Sequence, residues 1–312
     1  MEPRRAGVRI AQALLTFAVT VVLAFWLVDT LPGDAATASF VTTDASWLAR
    51  RRAELGLDIT VAERFVEWLG GLVRGDPGFS ASGIPVVDQI SEPLARTGLL
   101  LLAAIPVAAV AGIGGGMIAG ARAGSRTDRT TSLFAAVLLA TPEFVLAVIL
   151  VTVLSIQLGL LPPVSLVPLG GSPLDRPQIL ILPAVTAGLA VGAWLQRTVR
   201  AVVAAEAARP HVRSARLAGI PPLAVFMRHL LPGATGPIVQ LCALAVPGLI
   251  GASLVVEVAF GYAGAGSLLV TLIANRDTVP VATLVTIAAG VTATSLAIAD
   301  LVTESAPRRW LR

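Results

Sequence analysis

Six long apolar segments constrain the fold of this chain more than any other feature. They lie at 8–28, 95–120, 132–160, 179–200, 235–258 and 280–302. Each is long enough to cross the hydrocarbon core of a bilayer as a helix, which takes about 20 residues. Only 13% of the residues are charged, whereas a soluble domain carries roughly 25%. The sequence therefore predicts an all-α, polytopic protein with six transmembrane helices in a lipid bilayer.

The positions of the arginines predict the orientation of those helices. All 23 basic residues are Arg, and six spans place both termini on one side of the membrane. If that side is the cytoplasm, 15 of the 23 arginines lie on it, and the positive-inside rule favours this N-in, C-in arrangement. The segment 8–28 begins like a signal peptide but is too long for one, so we expect an uncleaved anchor helix.

Two polar regions interrupt what we expect to be a single transmembrane domain, 1–312. Residues 29–94 carry ten acidic side chains and contain amphipathic stretches at 50–55 and 61–72. This region is too short to bury much core alone, so we expect a small helical extracytoplasmic cap. Residues 201–234 form the second region, which the orientation places in the cytoplasm.

Several kinds of chemistry are excluded by composition. The chain has no Lys, so it cannot form the phosphate-binding loop that ends in Gly-Lys-Ser/Thr. Cys242, His211 and His229 are too few and too scattered for a disulfide framework or a Cys/His metal cluster. We therefore expect a non-catalytic chain with no cofactor and no metal site. The basic charge is explained by the membrane orientation, so we expect no nucleic-acid partner.

The stretch RSARLAGIPPLAVFMRHLLP, residues 213–232, is an Arg-rich interruption between apolar segments. Its spacing predicts a short helix over 210–218, ended by Gly219. Pro221 and Pro222 prevent direct continuation, and a second short helix is predicted over 223–231, stopped near Pro232. Two short helices at a stiff corner, basic and apolar together, are typical of a contact in which a helix docks into a groove of another protein.

This stretch resembles the cytoplasmic loop of permease subunits in binding-protein-dependent ABC importers. The family pattern is E-A-A, three residues, Gly, nine residues, then I-x-L-P. The first three positions correspond to Arg213, Ser214 and Ala215, with Gly219 at the required distance and His229-Leu230-Leu231-Pro232 at the end. The literal Glu206-Ala207-Ala208 does not fit, because Val212 stands where its Gly would be. HVRSARLAG and RHLLP are most similar to the dipeptide, oligopeptide and nickel branch.

Other motifs of that branch follow in order along the chain. LPGDAA at 31–36, LGLD through GDPGFS within 54–80, ILPAVTAGL at 181–189, VVEVAFGYAGAGSLL at 255–269, NRDTVPV at 275–281 and the terminal PRRWLR each resemble a family motif. Ala263 stands where the family usually has Pro in an outer turn, and Ala306 where it usually has Asp.

The resemblance implies the fold of a type I ABC importer permease in a bacterial inner membrane. It implies a homologous second permease, two ATPase subunits that hold ATP and Mg, and an extracytoplasmic substrate-binding protein. Di- or oligopeptides are the expected cargo. A nickel chelate, another small solute, or an ATP-independent channel or secondary transporter are alternatives. ATPase coupling is expected at Arg213, Ser214, Ala215, Arg216, Gly219, His229, Leu231 and Pro232.

Two acidic residues within the apolar segments are candidates for the translocation path or its gate. Glu143 follows Pro142 in the third segment, and Glu257 lies near the outer end of the fifth. Ionisable residues at membrane depth commonly face a water-filled path. For Glu143 the alternative is a carboxyl bonded to a neighbouring helix, and for Glu257 it is a structural role at the outer gate.

Overall fold

The computed structural model describes residues 3–30, 33–38, 45–167 and 170–305. Within those ranges the regular structure is helical, apart from one isolated β-bridge between Phe79 and Pro85. The predicted all-α class is confirmed for this part of the chain.

The α-helices are numbered here in chain order. They are α1 (Pro3–Asp29), α2 (Ala35–Ala38), α3 (Ala45–Glu54), α4 (Val61–Val73), α5 (Val86–Ala108), α6 (Gly115–Ala121), α7 (Arg126–Ala140), α8 (Glu143–Leu150), α9 (Gln178–Ala207), α10 (Pro210–Leu217), α11 (Pro222–Val225), α12 (Leu231–Phe260), α13 (Ala265–Ala274) and α14 (Thr278–Ser305). Three π-helical turns, Ala109–Gly114, Val151–Gln157 and Phe226–Leu230, and one 3₁₀ turn, Pro173–Asp175, complete the helical elements.

Four continuous helical stretches are long and apolar enough to cross a membrane. They are Val86–Ala121, Gln178–Ala207, Pro222–Phe260 and Thr278–Asp300. A fifth is obtained if α7 and the stretch Glu143–Gln157 are taken as one broken span. The described apolar part of α1, Leu14–Asp29, is shorter. The described residues therefore support four or five candidate spans rather than the six predicted.

The predicted single span 132–160 is wrong in detail, because the chain breaks between α7 and α8. The two helices meet at 107°. Pro142 cannot donate a backbone hydrogen bond, and the residue before a proline disfavours the helical conformation. Thr141 accordingly has ψ 120° and Pro142 has ψ 144°. A proline predicted to kink one helix instead ends it, whereas Pro183 and Pro247 lie inside α9 and α12.

The chain divides into two compact units, and the first contains the residues up to Thr97 together with Ala263–Ala293. In it α4 begins at a capping box formed by Thr60 and Glu63, as its sequence favours. The ring of Trp68 lies 5.3 Å from that of Phe25, and its Nε1 donates a hydrogen bond to Thr283 Oγ1 at 3.1 Å. These contacts hold α4, one of the two predicted cap helices, against α1 and the start of α14.

A second link in this unit joins the loop before α5 to the loop before α14. The backbone N–H of Ala81 donates to both carboxylate oxygens of Asp277, at 3.1 and 3.0 Å. Arg51 Nη2 donates to the carbonyl of the same Ala81 at 2.8 Å. The backbone of one residue, Ala81, is thus held through its N–H by a carboxylate and through its carbonyl by a guanidinium that are far apart in sequence.

The second unit contains Gly98–Tyr262 and the chain from Thr294 onward, and α9 is its most buried helix. Three glycines four residues apart, Gly112, Gly116 and Gly120, lie against α9. A Cβ at Gly116 would lie 2.8 Å from the carbonyl oxygen of Gln196, and one at Gly120 would lie 2.7 Å from that of Arg200. Small residues therefore allow the second apolar segment to pack directly on the α9 backbone.

Candidate functional site

The Arg-rich segment begins with α10, a helix of two turns with one buried side. Pro210 occupies the first turn, where its missing N–H costs nothing. Val212 and Ala215 are buried in the same apolar cluster as Val199 and Val203 of α9. Because these contacts fix one side of α10, its other side is held outward.

A left-handed turn at Gly219 ends α10. Gly219 has φ 75°, a conformation that residues with a Cβ rarely adopt. Its N–H donates to the carbonyl of Arg216 at 3.1 Å, and the N–H of Ile220 donates to that of Ala215 at 3.3 Å. This pair of bonds is a Schellman motif, which satisfies carbonyls left free at a helix end. The predicted helix end at Gly219 is confirmed.

The predicted second short helix, stopped near Pro232, is wrong. The chain runs as one helical stretch from Pro222 to Phe260, through the π-helical turn Phe226–Leu230. A π-helical turn directly before Pro232 changes the hydrogen-bond pattern at the point where the proline has no N–H to donate. Pro232 also lies in the first turn of α12. The segment is thus one short helix joined by a stiff corner to the start of a long one.

The outward side of this segment is both basic and apolar. Arg213, Ser214 and Arg216 are exposed on α10. Two leucines beside the corner are also uncovered, with Leu217 83% and Leu223 74% exposed. Large apolar side chains this exposed, next to arginines, are typical of a surface that contacts another molecule. This is the composition predicted for a protein-docking element.

His229, Leu231 and Pro232 lie on the partly buried side of the corner rather than on this outward surface. The backbone carbonyl of His229 accepts a hydrogen bond from His211 Nε2 at 3.0 Å. His211 therefore connects the first turn of α10 to the π-helical turn. Predicted coupling residues thus divide into an exposed group on α10, the buried Ala215 with the turn residue Gly219, and a supporting group near α12.

Glu206, whose sequence context does not fit the motif, contacts both ends of this segment. It is 4% exposed and its Oε2 lies 3.0 Å from Arg209 Nε, while its Oε1 lies 3.7 Å from His211 Nε2. The carboxylate packs against Gly233, where a Cβ would collide with it. A buried acid therefore links the end of α9 to both sides of the Arg-rich segment.

A second acidic residue that sequence reasoning missed is Asp128 near the start of α7. It is buried and forms a two-pronged ion pair with Arg200 of α9, with Arg200 Nη2 2.7 Å from Oδ2. The N–H of Gly124 also donates to Oδ2, at 2.8 Å. The short loop 122–125 is thereby fixed to the same end of α9 that carries Glu206.

The two predicted path residues lie in different environments. Glu143 is half-buried at the first position of α8, immediately after the break at Pro142. Glu257 is fully buried in α12. The structure does not bring these two carboxylates to a shared site with the coupling residues, and their role stays a prediction.

No group of three or more His, Cys, Asp or Glu side chains that could hold a metal ion occurs in the described part of the chain. Cys242 is a free, partly buried thiol. His211 bonds to the backbone carbonyl of His229 and lies near Glu206, so its ring has a structural role in the segment.

Comparison with known proteins decides the family. The profile described as binding-protein-dependent transport system inner membrane component matches residues 112–311, which include the glycines before α6 and the Arg-rich segment. The glutathione transport system permease proteins GsiC of Escherichia coli O6:H1 (strain CFT073), Escherichia coli (strain K12) and Shigella dysenteriae serotype 1 are each 32% identical to this chain over 271 residues, covering 86% of both chains. The chain belongs to this family.

As a permease of a binding-protein-dependent ABC importer, the chain is the non-catalytic membrane subunit, and ATP is bound by partner ATPases. It is a multi-pass protein of the inner membrane. These findings confirm the resemblance drawn from the motifs. They exclude the alternative of an ATP-independent channel or secondary transporter.

The sequence positions of their partners explain why Glu206 and Asp128 of this permease were missed. Arg209 follows Glu206 at the i,i+3 spacing of helical ion pairs, which by itself does not indicate that the acid is buried. Arg200 is 72 positions from Asp128, a separation that no local spacing rule covers. The available signal was weaker: a carboxylate within or beside an apolar segment needs a partner.

Proposed function

We propose that this permease imports small peptides such as glutathione. We also propose that residues 210–232, the coupling segment, couple the passage of the peptide to ATP hydrolysis. In this proposal the permease crosses the inner membrane six times, with both termini in the cytoplasm. It pairs with a homologous permease above two ATPase subunits. An extracytoplasmic binding protein delivers the cargo to the outer side, where residues 29–94 form a cap.

The observation that carries the coupling proposal is the geometry of α10. Its inner side is buried against α9, and its end is fixed by the Schellman turn at Gly219, so its outer side is presented rigidly. That outer side carries Arg213, Ser214 and Arg216. A rigid, basic and apolar element fits a groove on an ATPase surface, and rigid attachment to α9 and α12 lets a push on it move the membrane helices.

Two further features support coupling through this end of the molecule. Glu206 joins α9 to the first residues of α10 and to Gly233 of α12. The ion pair of Asp128 and Arg200 joins α9 to the neighbouring loop. A displacement of α10 is therefore passed to three helices rather than absorbed by a flexible connection.

The proposed cargo follows from the relatives, which are named as glutathione transport permeases. At 32% identity the family is shared, while the residues that select the cargo are free to differ. Glu143 and Glu257 are the acidic residues that we propose for the path or its gate, because carboxylates within spans are costly unless they serve such a purpose.

The cargo proposal is tested by identifying the ligand that the cognate binding protein retains on purification, using mass spectrometry. We expect glutathione or another short peptide. The same compound should then accumulate in vesicles that contain the complete transporter, in an ATP-dependent manner. A retained nickel chelate or sugar, with no peptide uptake, would contradict the cargo assignment and leave the importer assignment intact.

A further inference from the structure

A cavity of about 800 Å³ opens beside the coupling segment. Met117 and Ile118 of α6 line it on one element. Leu223, Phe226 and Leu230, from the start of the long helical stretch Pro222–Phe260, line it on another. Most of the lining is hydrocarbon. A cavity of this size is large enough for a drug-sized or larger apolar group.

The position of the cavity coincides with the ends of two candidate spans. The stretch Val86–Ala121 ends one residue before Arg122, and the stretch Pro222–Phe260 begins inside the coupling segment. At the end of a span the hydrocarbon core gives way to the polar headgroup layer. Two apolar helical stretches therefore end at the cavity, and its residues Met117 and Ile118 lie at the end of the predicted span 95–120.

The polar rim of the cavity is positively charged. Its two charged lining residues are Arg122 and Arg216, both exposed. No carboxylate lines the cavity, and neither guanidinium forms an ion pair with another residue in the described ranges. Two cations above an apolar cavity are complementary to an amphiphile with an anionic head.

From this geometry we infer that the cavity binds an anionic phospholipid. Its acyl chain would lie against Ile118 and Phe226, and its phosphate would accept hydrogen bonds from Arg122 and Arg216. Basic pockets between membrane helices on the cytoplasmic side recognise such headgroups. The inference rests on the proposed function for the leaflet, which is the cytoplasmic one. It also requires that Arg216, which lies on the side of α10 proposed to face the ATPase, turn its guanidinium toward the cavity that it lines. A bound lipid would brace α6 against the coupling segment.

The direct test is lipid retention by the purified full-length permease. The protein is exposed to equal amounts of phosphatidylglycerol and phosphatidylcholine, and bound lipid is measured by native mass spectrometry. We expect preferential retention of phosphatidylglycerol. In the double variant Arg122→Gln/Arg216→Gln its affinity should fall about 25-fold, because each arginine near a membrane surface contributes about a factor of five.

The matched control is Arg126→Gln/Arg129→Gln, which removes the same charge from exposed positions that do not line the cavity. This control should retain the wild-type preference. Equal loss in both double variants, or equal retention of the two lipids by the wild type, would overturn the inference.

A second variant tests the apolar part separately. Ile118→Trp fills the cavity and keeps both arginines, so we expect it to lose phosphatidylglycerol while its elution volume stays that of the folded protein. Glycerol phosphate, which has no acyl chain, should not displace the lipid. Displacement by glycerol phosphate would indicate a simple anion site and overturn the inference.

Photo-cross-linking in the assembled transporter tests whether lipid or protein occupies the cavity. A photo-reactive residue at Ile118 should capture lipid, whereas capture of an ATPase subunit would show that a protein fills the cavity and would overturn the inference. Lipid retention needs no ATP turnover, so normal lipid retention by the wild-type permease, with no ATP-driven peptide uptake by the complete transporter, would count against the proposed function alone.

Discussion

At the scale of single residues, Asp277 is a buried carboxyl outside the spans whose ionisation should influence stability. It is 6% exposed, and burial raises its pKa to about 6 although the Ala81 N–H donates to it. Between the ordinary Asp pKa and about 6, the unfolded chain has lost its proton while the folded chain retains it. Stability contributed by this group is therefore greatest at low pH and falls as the pH rises through that interval.

We predict that Asp277→Asn removes this pH dependence. The amide keeps an acceptor for the Ala81 N–H but cannot titrate, so unfolding of the wild type in detergent should lose about 2 to 3 kcal/mol between about pH 4 and about pH 7 relative to the variant. The measurement is the unfolding temperature of both proteins across that range. The exposed residue Asp58 gives the control Asp58→Asn, which should follow the wild type. Parallel curves for Asp277→Asn and the wild type would contradict the account.

Gly219 is the residue whose backbone decides the shape of the coupling segment. Its φ is 75°, and a Cβ there would meet no atom within 4 Å, so the chain itself requires glycine for the turn and not for space. Asn tolerates this conformation, whereas a β-branched residue does not.

We therefore predict that Gly219→Asn keeps most ATP-driven uptake and that Gly219→Val loses it, with the permease still present in the membrane. Strain of roughly 1–2 kcal/mol on the turn is enough to unseat α10. Uptake and ATP hydrolysis are measured together in the reconstituted transporter. If Asn abolishes uptake as completely as Val, the glycine is needed for close approach of the ATPase, and the turn argument is wrong.

At the scale of elements, the contact between the second apolar segment and α9 is set by backbone proximity. Gly116 and Gly120 have no room for a Cβ, because the nearest atoms include carbonyl oxygens of α9 that cannot move without moving the helix. Helices that approach this closely in a membrane depend on small residues and on the dispersion contacts they permit.

We predict that Gly116→Ala destabilises the permease by about 1–3 kcal/mol, as overpacking does. Gly251 in α12 provides a matched control, because a Cβ there would meet no atom within 4 Å. Gly251→Ala should be neutral or slightly stabilising, since alanine favours a helix. Thermal unfolding in detergent measures both. Equal effects of the two substitutions would show that helix propensity, and not packing, controls the result.

The sequence predicted the apolar centre of each long helix and missed the helix ends. The predicted segment 235–258 lies within Pro222–Phe260, and 179–200 lies within Gln178–Ala207. Hydropathy reports the part of a helix that lies in hydrocarbon, while a helix continues into the headgroup layer for as long as its backbone is satisfied. Pro232 favours a helix end when only the sequence is considered. The π-helical turn before it, which lets the helix continue, has no signature in the amino-acid composition.

The candidate site was predictable to the extent that it follows local chemistry. The helix end at Gly219 and the exposure of Arg213 and Arg216 follow from spacing. Asp128 could not be assigned, because its partner Arg200 is brought near only by packing against α9. The pair of Glu206 and Arg209 has local spacing, but the burial of Glu206 against Gly233 follows from packing alone.

At the scale of the whole molecule, the account assigns one direction of force. In the proposed function, an ATPase pushes α10, α9 and α12 carry the displacement into the membrane, and the outer side opens or closes to cargo. This scheme requires that α10 face the cytoplasm and contact the ATPase. If α10 does not, the proposed coupling is wrong whatever the predicted cap and path do.

The most direct test is a cross-link from Ser214→Cys, made in a Cys242→Ser background so that the introduced thiol is the single one in the chain. Ser214 is exposed on α10, and Arg126→Cys at the exposed first position of α7 serves as the control. We predict a cross-linked product of permease and ATPase from Ser214→Cys, with a yield that changes when ATP is added, and little product from Arg126→Cys. Labelling of Ser214→Cys by an impermeant thiol reagent from outside intact cells, with no ATPase product, would contradict the account.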